Sequence, residues 1–352
     1  MNRRRGKCDT SQPNSGVTAV ALGAIIVIAL TRIRDRRAMR FGLMGLALVL
    51  AAAYATAVAT PWPEVNVVER VHFIEYGLVA FLYYRVWRST GDLSSLALPL
   101  LCTFMVGTLD EWLQWFIPNR VGEAHDTFLN LVAIVCGLMF GVAIVPPPAM
   151  SFGLTRDGAR RLGVGAAIVW LVFGGFMSQV HLGYEIEAEG IGKFDSHYHR
   201  ARLEELQRDR VERWRQNPPL VLRRLSREDQ YMDEGLWHIR QRNMLWNSND
   251  IAGAWMENLI LEQFYAPVLD TRTYAAPEPN RWPPEHRADA DKRRTPPAVL
   301  PEEGRQGTGP FVSAAEPYPI VVWNKTLFWA VGLSIALLLY LAGRRMAAKS
   351  SY

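Results

Sequence analysis

The sequence predicts an all-α, polytopic transmembrane helix bundle of about seven spans, with one helical segment outside the membrane. Apolar residues are concentrated in runs of roughly 16 to 20 residues, close to the length that a helix needs to cross the hydrocarbon core of a bilayer. Residues 183–322 are instead polar, charged and proline-bearing. The short segments that flank the apolar runs are basic, as is usual for the loops of a multi-pass membrane protein.

The predicted spans are 16–31, 41–60, 71–87, 93–109, 127–145, 162–180 and 326–343. The first is unlike a cleavable signal peptide, because it continues into a cluster of arginines without a small-residue cleavage site. Basic segments follow the first, third, fifth and seventh spans, and the positive-inside rule places them in the cytoplasm. We therefore expect a bacterial cytoplasmic (inner) membrane protein with residues 183–322 extracytoplasmic and a cytoplasmic C-terminus. The basic N-terminal tail conflicts with this orientation, and we expect the downstream charges to dominate.

The charge distribution predicts that the chain associates with the lipid bilayer and that it does not bind nucleic acid. The chain has 39 Lys and Arg against 34 Asp and Glu, and residues 183–322 hold 19 and 23 of these respectively. The positive excess therefore lies in short loops and tails, whereas a nucleic-acid-binding domain would collect it on a folded soluble surface. The three cysteines, Cys8, Cys102 and Cys136, have no zinc-type spacing.

Residues 183–322 divide into a helical part and a linker. Helices are expected over 198–216, about 228–246 and 251–264; Pro218 and Pro219 end the first, and Asp250 caps the third. The domain prediction is 1–40 for the tail and first span, 41–146 for a transmembrane bundle, 147–182 for a basic loop and the sixth span, 183–266 for the extracytoplasmic helical segment, 267–322 for a proline-rich linker and 323–352 for the last span and basic tail.

Polar residues recur at the predicted outer ends of spans three, four and five. Many lie three or four residues apart, so they share helix faces. Ionisable groups beside apolar spans are costly unless they pair or face water, and therefore mark a candidate functional site. The set comprises His72, Glu75 and Tyr76 at span three, Asp110, Glu111, Gln114 and Arg120 after span four, and Asp126 and Asn130 at span five.

A structural interpretation of the same residues stays open. Helix ends at a bilayer surface are commonly polar and aromatic. Asp126 is placed to cap span five, and Glu75 and Arg120 could form an ion pair. We favour a shared pocket because three helices each present a polar face.

The order of these residues resembles the VanZ-like membrane proteins, a family named after a teicoplanin-resistance protein. The pattern is HxxEY from His72, then DExxQxFxPxR from Asp110, then DxxxN from Asp126, within about residues 41–146. Ala133 stands where the family usually has glycine, and Gly137 follows one turn later. The resemblance implies a cell-envelope role linked to glycopeptide resistance. It implies no particular reaction and does not extend to residues 183–352.

Three functions fit these residues, and whether a reaction is catalysed stays open. The first is binding or processing of an anionic, polyprenyl-linked envelope precursor, because Arg120 suits a phosphate group. Its candidate catalytic residues are His72, Glu75, Asp110 and Glu111, and its candidate binding residues are Tyr76, Gln114, Arg120, Asp126 and Asn130.

The second function is hydrolysis assisted by a divalent metal held by the same four candidate catalytic residues. Their spacing matches no standard metalloenzyme motif, so no metal or cofactor is predicted. The third is a non-catalytic scaffold or adaptor that recruits an envelope protein through residues 183–266.

Overall fold

The structure is a computed structural model that describes residues 23, 27, 31, 33–57, 63–117, 122–148, 150–217, 227–271, 279–293, 311–315 and 319–349; the side chains of 63–70, 72 and 227–229 are not described. Its first half contains α1 (Arg37–Ala57), α2 (Pro63–Trp87), α3 (Ser94–Gln114), α4 (Ala124–Ile144) and α5 (Arg156–Phe176), which a π-helical turn extends to His181. Its second half contains β1 (Leu182–Ala188), β2 (Gly192–Ser196), α6 (Arg200–Gln216), α7 (Arg227–Asn247), α8 (Ile251–Phe264), α9 (Ala266–Asp270), α10 (Pro284–Arg293), β3 (Val321–Val322) and α11 (Lys325–Lys349).

Five of the described helices are long and apolar enough to cross a membrane: Arg37–Ala57, Ser94–Gln114, Ala124–Ile144, Arg156–His181 and Lys325–Lys349. They correspond to predicted spans two, four, five, six and seven. Predicted span three lies in α2, which also carries Glu69, Arg70, Glu75 and Arg85 and is not among the five. Predicted span one lies mostly outside the described residues. The polytopic helical class is therefore confirmed, and the number seven stays a prediction.

The chain divides into two compact units. Unit 1 comprises Met1–Gly107, Thr127–Trp170 and Ile335–Tyr352, and unit 2 comprises Thr108–Asp126 and Leu171–Ser334. Unit 1 thus holds most of the membrane-length helices. Unit 2 holds the sheet and α6 to α10, together with the end of α3 and the start of α4.

Glycines bring the helix backbones of unit 1 into direct contact. A Cβ atom on Gly137 of α4 would overlap the backbone of Gly77 in α2, and a Cβ on Gly163 of α5 would come within 2.7 Å of the Cα of Gly343 in α11. Such small-residue contacts are the usual basis of helix packing in lipid. Gly137, one turn after Ala133, therefore provides the close approach of α4 to α2.

One end of unit 1 is closed by polar contacts. Arg40 donates from Nε to the carbonyl of Ala143 at 2.6 Å and from a terminal nitrogen to that of Ile144 at 2.8 Å, so it caps the last turn of α4. The buried carboxylate of Asp92 accepts hydrogen bonds from the backbone N–H of Thr155 at 2.7 Å and from its hydroxyl at 2.5 Å. These contacts join the first turn of α1 to the end of α4, and the segment before α3 to the segment before α5.

Unit 2 has a three-stranded sheet in the order β2-β1-β3. Strands β1 and β2 pair antiparallel, with Ile186 opposite Phe194, and β1 pairs parallel with β3. Ile186 and Phe194 are buried in an aromatic-rich core with residues from α6 to α9, among them Tyr231, Phe264 and Tyr265.

The helices predicted for residues 198–264 match α6, α7 and α8 closely, and the Asp250 carboxylate accepts the N–H of Gly253 at 2.9 Å as a helix cap. The segment predicted as a linker differs from the expectation. It contains most of α9 and all of α10 and β3, because apolar side chains such as Val268, Leu269 and Trp282 are buried against the preceding helices.

Candidate functional site

The last turn of α3 carries a compact group of two carboxylates and an amide, all in unit 2. Gln114 donates from Nε2 to Asp110 at 2.9 Å and to Glu111 at 3.2 Å. Glu111 is fully buried and Gln114 nearly so, whereas Asp110 is half-buried. The predicted helical spacing of three and four residues is thus realised as hydrogen bonds.

Glu111 and His181 together cap the start of α4. Glu111 accepts the backbone N–H of Glu123 at 3.3 Å, and the Nε2 atom of His181 accepts that of Ala124 at 3.0 Å. The first N–H groups of a helix have no partner within the helix, so these two side chains supply acceptors for them. The Nδ1 atom of His181 lies 2.9 Å from the carbonyl of Pro319 and donates to it, which fixes the neutral tautomer.

A glycine allows this cap to form. A Cβ atom on Gly122 would overlap the backbone carbonyl of Glu111, so the chain entering α4 lies directly against α3. Next to it, Trp115 packs with Phe176 and Val180 from the end of α5 and its π-helical extension. His181 was not among the predicted site residues. The sequence feature that could have identified it is a histidine at the end of an apolar run, next to the predicted outer face of the membrane.

In unit 1, two buried polar groups of α4 have no partner in the part of the chain that the structure describes. They are the Nδ2 atom of Asn130 and the hydroxyl of Thr127, and both side chains are at most 3% exposed. A Cβ on Gly107 would lie 3.4 Å from that Nδ2 atom and 3.3 Å from the ring of Tyr76. Because residue 107 is glycine, the ring of Tyr76 and the amide of Asn130 can lie directly against the backbone of α3.

The remaining predicted residues have different environments. Glu75 is exposed on α2, although Tyr76 beside it is buried, so the two side chains do not share one environment. Asp126 is half-buried, with its carboxylate 3.4 Å from the Nδ1 atom of His125. His72 belongs to α2, and its side chain is not described. Arg120 lies outside the described residues.

The predicted set is divided between the two units. Unit 1 contains His72, Glu75, Tyr76 and Asn130, and unit 2 contains Asp110, Glu111, Gln114 and Asp126. Among the side chains that the structure describes, no group of three or more His, Cys, Asp and Glu residues could hold a metal ion. The metal-assisted function therefore stays a hypothesis that depends on His72.

Unit 2 also contains a buried polar network that the sequence did not predict. Glu234 accepts from the Ser196 hydroxyl at 2.6 Å, from the Tyr265 hydroxyl at 2.8 Å and from the His197 backbone N–H at 3.1 Å. The two ring nitrogens of His197 lie 2.9 Å from Glu234 and 2.6 Å from the carbonyl of Val180. Both neighbours are acceptors, so both nitrogens donate, which is the cationic form of the ring.

Burial alone would raise the pKa of Glu234, but the hydrogen bonds and charge of His197, with those from Ser196 and Tyr265, hold it below its usual value. The network therefore contains an ionised carboxylate beside a cationic imidazole, with the remaining acceptor positions filled by hydroxyl groups. Such an arrangement fixes the position of β2 relative to α7. Each member of the network is buried and is hydrogen-bonded to another member, so its geometry indicates a structural role.

The membrane-length helices, their glycine contacts and the polar helix ends define a polytopic α-helical membrane protein. Residues 17–145 match the model of the VanZ/LLP1 family, so this region of the chain is VanZ-like, as the residue pattern indicated. The match begins before the 41–146 region expected from the motifs and includes the first predicted span. The comparisons with curated proteins and with solved structures found no match.

Proposed function

We propose that this VanZ-like membrane protein binds or processes a lipid-linked precursor of the bacterial cell envelope at the outer face of the cytoplasmic membrane. One observation carries the proposal: buried polar atoms of Asn130 and Thr127 have no partner among the described residues, and the Asn130 amide lies near Gly107, as does the ring of Tyr76. An unsatisfied buried polar group costs about 1–3 kcal/mol, so a ligand that satisfies it gains affinity. The family resemblance extends the proposal to glycopeptide resistance.

In this proposal Arg120 binds the anionic phosphate of a polyprenyl-linked lipid through paired hydrogen bonds. Amide, hydroxyl and carboxylate groups orient the sugar or peptide part, and further ionisable groups act as general acid or base if turnover occurs. The first role belongs to Tyr76, Gln114, Asp126 and Asn130, and the second to His72, Glu75, Asp110 and Glu111.

We also propose that the basic end of unit 1 faces the cytoplasm, with residues 183–322 outside. Basic residues from several helices lie at this end. Arg88 donates to the carbonyl of Pro146 at 3.3 Å, and Gly343, which precedes Arg344, packs on Gly163 of α5. Such a concentration of positive charge is typical of the cytoplasmic face.

The test is mass spectrometry of the lipids that co-purify with the gently extracted, full-length protein. Asn130→Leu removes the unpartnered amide while keeping its approximate shape, so it should preserve the fold. We expect it to lower the amount of bound polyprenyl-phosphate lipid about tenfold, as should Arg120→Ala, because a hydrogen bond to a charged group contributes about 1.5–3 kcal/mol.

The matched control is Asn217→Leu, the same chemical change at the exposed C-terminal cap of α6. It should retain the lipid at the level of the unchanged protein. Bulk phospholipid alone in all four samples would contradict the proposal.

A non-catalytic scaffold or adaptor is the second candidate, and a different observation favours it. Glu111 and His181 are occupied in capping α4, and the segment 108–126 packs within the same unit as the extramembrane helices. In a scaffold, Glu111→Gln should leave teicoplanin susceptibility unchanged at equal protein level, because the amide oxygen still accepts the N–H of Glu123. Loss of resistance in this variant, without loss of protein, would instead favour a chemical role.

A further inference from the structure

Helix α5 begins beside a cleft that none of the predicted site residues lines. The cleft has a volume of about 460 Å³ and is lined by Asp157, Arg160, Arg161, Val164 and Gly165, all in unit 1. Two guanidinium groups are therefore followed, one turn further along the helix, by an apolar side chain and a glycine. A Cβ on Gly165 would meet the side chain of Leu101 at 3.7 Å, so α3 lies beside this part of the cleft.

The guanidinium groups of Arg160 and Arg161 have N–H donors that are free to bind a ligand. Both side chains are exposed, and in the part of the chain that the structure describes neither forms an ion pair or hydrogen bond. Asp157 is the one acidic residue of the lining and pairs with neither of them within salt-bridge distance. Two guanidinium groups that line one cleft and have free donors suit a phosphate, which accepts several charge-assisted hydrogen bonds.

The surroundings of the cleft match a bilayer surface. Residues Arg156–His181 form a membrane-length helix, so its first two turns, with both arginines, lie at a membrane boundary. Phe152, just before this helix, is 86% exposed although hydrogen bonds fix its loop, among them Leu93 N–H to Gly153 carbonyl at 3.2 Å. An exposed aromatic ring at the end of a span is typical of residues that anchor in the interface.

We propose that this cleft binds the phosphate of an anionic glycerophospholipid from the leaflet at the basic end of unit 1. Arg160 and Arg161 contact the phosphodiester, and an acyl chain lies along Val164 and Gly165. The charge of Asp157 opposes the head group and limits its affinity. Basic pockets beside transmembrane helices are suited to anionic lipids in this way. The cleft shares no residue with the site proposed above, so the two proposals can fail independently.

The experiment is native mass spectrometry of the full-length protein in detergent, titrated with phosphatidylglycerol or with phosphatidylcholine. Each basic residue near a lipid surface contributes about 1 kcal/mol, so the double variant Arg160→Gln/Arg161→Gln should bind phosphatidylglycerol about 25-fold more weakly. Binding of phosphatidylcholine should change little. The control Arg208→Gln/Arg215→Gln removes the same charge from exposed positions of α6 and should leave both affinities unchanged.

A second variant is expected to bind the lipid more tightly, and a misfolded protein would not show such a gain of affinity. Asp157→Asn removes the opposing charge and should strengthen phosphatidylglycerol binding about fivefold. Equal loss of this lipid in the two double variants would overturn the proposal, because net charge rather than the cleft would then govern binding. Displacement of the lipid by the same concentration of inorganic phosphate would overturn it too, by assigning the cleft to a soluble anion.

Discussion

Unit 1 and unit 2 bury their charged groups in different places. In unit 1, Arg40 and Asp92 lie at helix ends and bond to backbone or loop groups, while the helices contact one another at glycines such as Gly77 and Gly137. In unit 2, an aromatic core surrounds fully buried carboxylates, and Glu234 and Glu257 each contact a histidine ring. The two regions therefore obtain their stability by different means.

The difference follows from the surroundings of each region, which are lipid for the membrane-length helices and water for the aromatic core. Lipid tails are as apolar as the helices, so close backbone packing rather than the hydrophobic effect holds membrane helices together. Burial of Phe194, Tyr231 and Phe264 removes aromatic surface from water, which supplies free energy that can offset the burial of a satisfied ion pair. We therefore expect charge removal to damage unit 2 most and added volume to damage unit 1 most.

The largest expected effect is that of Glu234→Ala in unit 2. It leaves the imidazole of His197 and the hydroxyls of Ser196 and Tyr265 buried without their common acceptor, at a cost of about 3–5 kcal/mol. Hydrogen exchange measured by mass spectrometry should show lost protection in peptides of β2, α7 and α8, with unit 1 peptides unchanged.

The control for this variant is Glu204→Ala, which removes an exposed carboxylate that pairs with Arg200 at 3.0 Å. Exposed pairs contribute about 0–1 kcal/mol, so exchange should stay near that of the unchanged protein. Equal loss of protection in both units on Glu234→Ala would contradict the contrast drawn between them.

The next effect is that of Gly137→Ala in unit 1. The added methyl group would overlap the backbone of Gly77, which cannot yield as a flexible side chain can, and we expect a cost of about 1–3 kcal/mol. The thermal midpoint of the detergent-solubilised protein measures it. Gly45→Ala is the control, since its methyl group would enter open space in α1 and brings the same gain in helix propensity. A midpoint shift equal in the two variants would remove the proposed role of this contact.

The sequence predicted the helices well wherever local signals and burial agree. Helices α6, α7 and α8 have charged or polar starts and stops, and their ends agree with the prediction to within about two residues, the usual uncertainty of helix boundaries. The strands β1 and β2 were missed, although Tyr184, Ile186 and Ala188 alternate with Glu185 and Glu187 with a period of two. Gly190, with φ of +74°, marks the turn between the strands, a further local signal.

The candidate site was only partly predictable for a physical reason. Spacing along one helix places Gln114 near Asp110 and Glu111, and the structure has these hydrogen bonds. Spacing cannot show that Glu111 meets the N–H of Glu123, because that contact depends on the turn at Gly122. Nor can it show that His181, from a later helix, supplies the second cap of α4.

The smallest effect expected is that of Asp92→Asn, at the loop end of unit 1. Burial alone would raise the pKa of Asp92, but hydrogen bonds from Ser94 and Thr155 lower it below its usual value. A carboxyl group with a lowered pKa stabilises the folded state above its unfolded pKa of about 4, and this contribution is lost as the pH falls through the folded value. Asparagine lacks the charge, so we expect a loss of about 1 kcal/mol at neutral pH.

Thermal midpoints measured between neutral pH and the acid limit of folding check this last prediction. The two proteins should differ most at neutral pH and converge in acid, because protonation removes from the unchanged protein what the substitution has already removed. Asp157→Asn is a matched control in the first turn of α5, with a carboxyl group that is exposed. Parallel curves for the unchanged protein and Asp92→Asn would mean that the charge of Asp92 is not what joins the two loops, and that the hydrogen bonds of either side chain suffice.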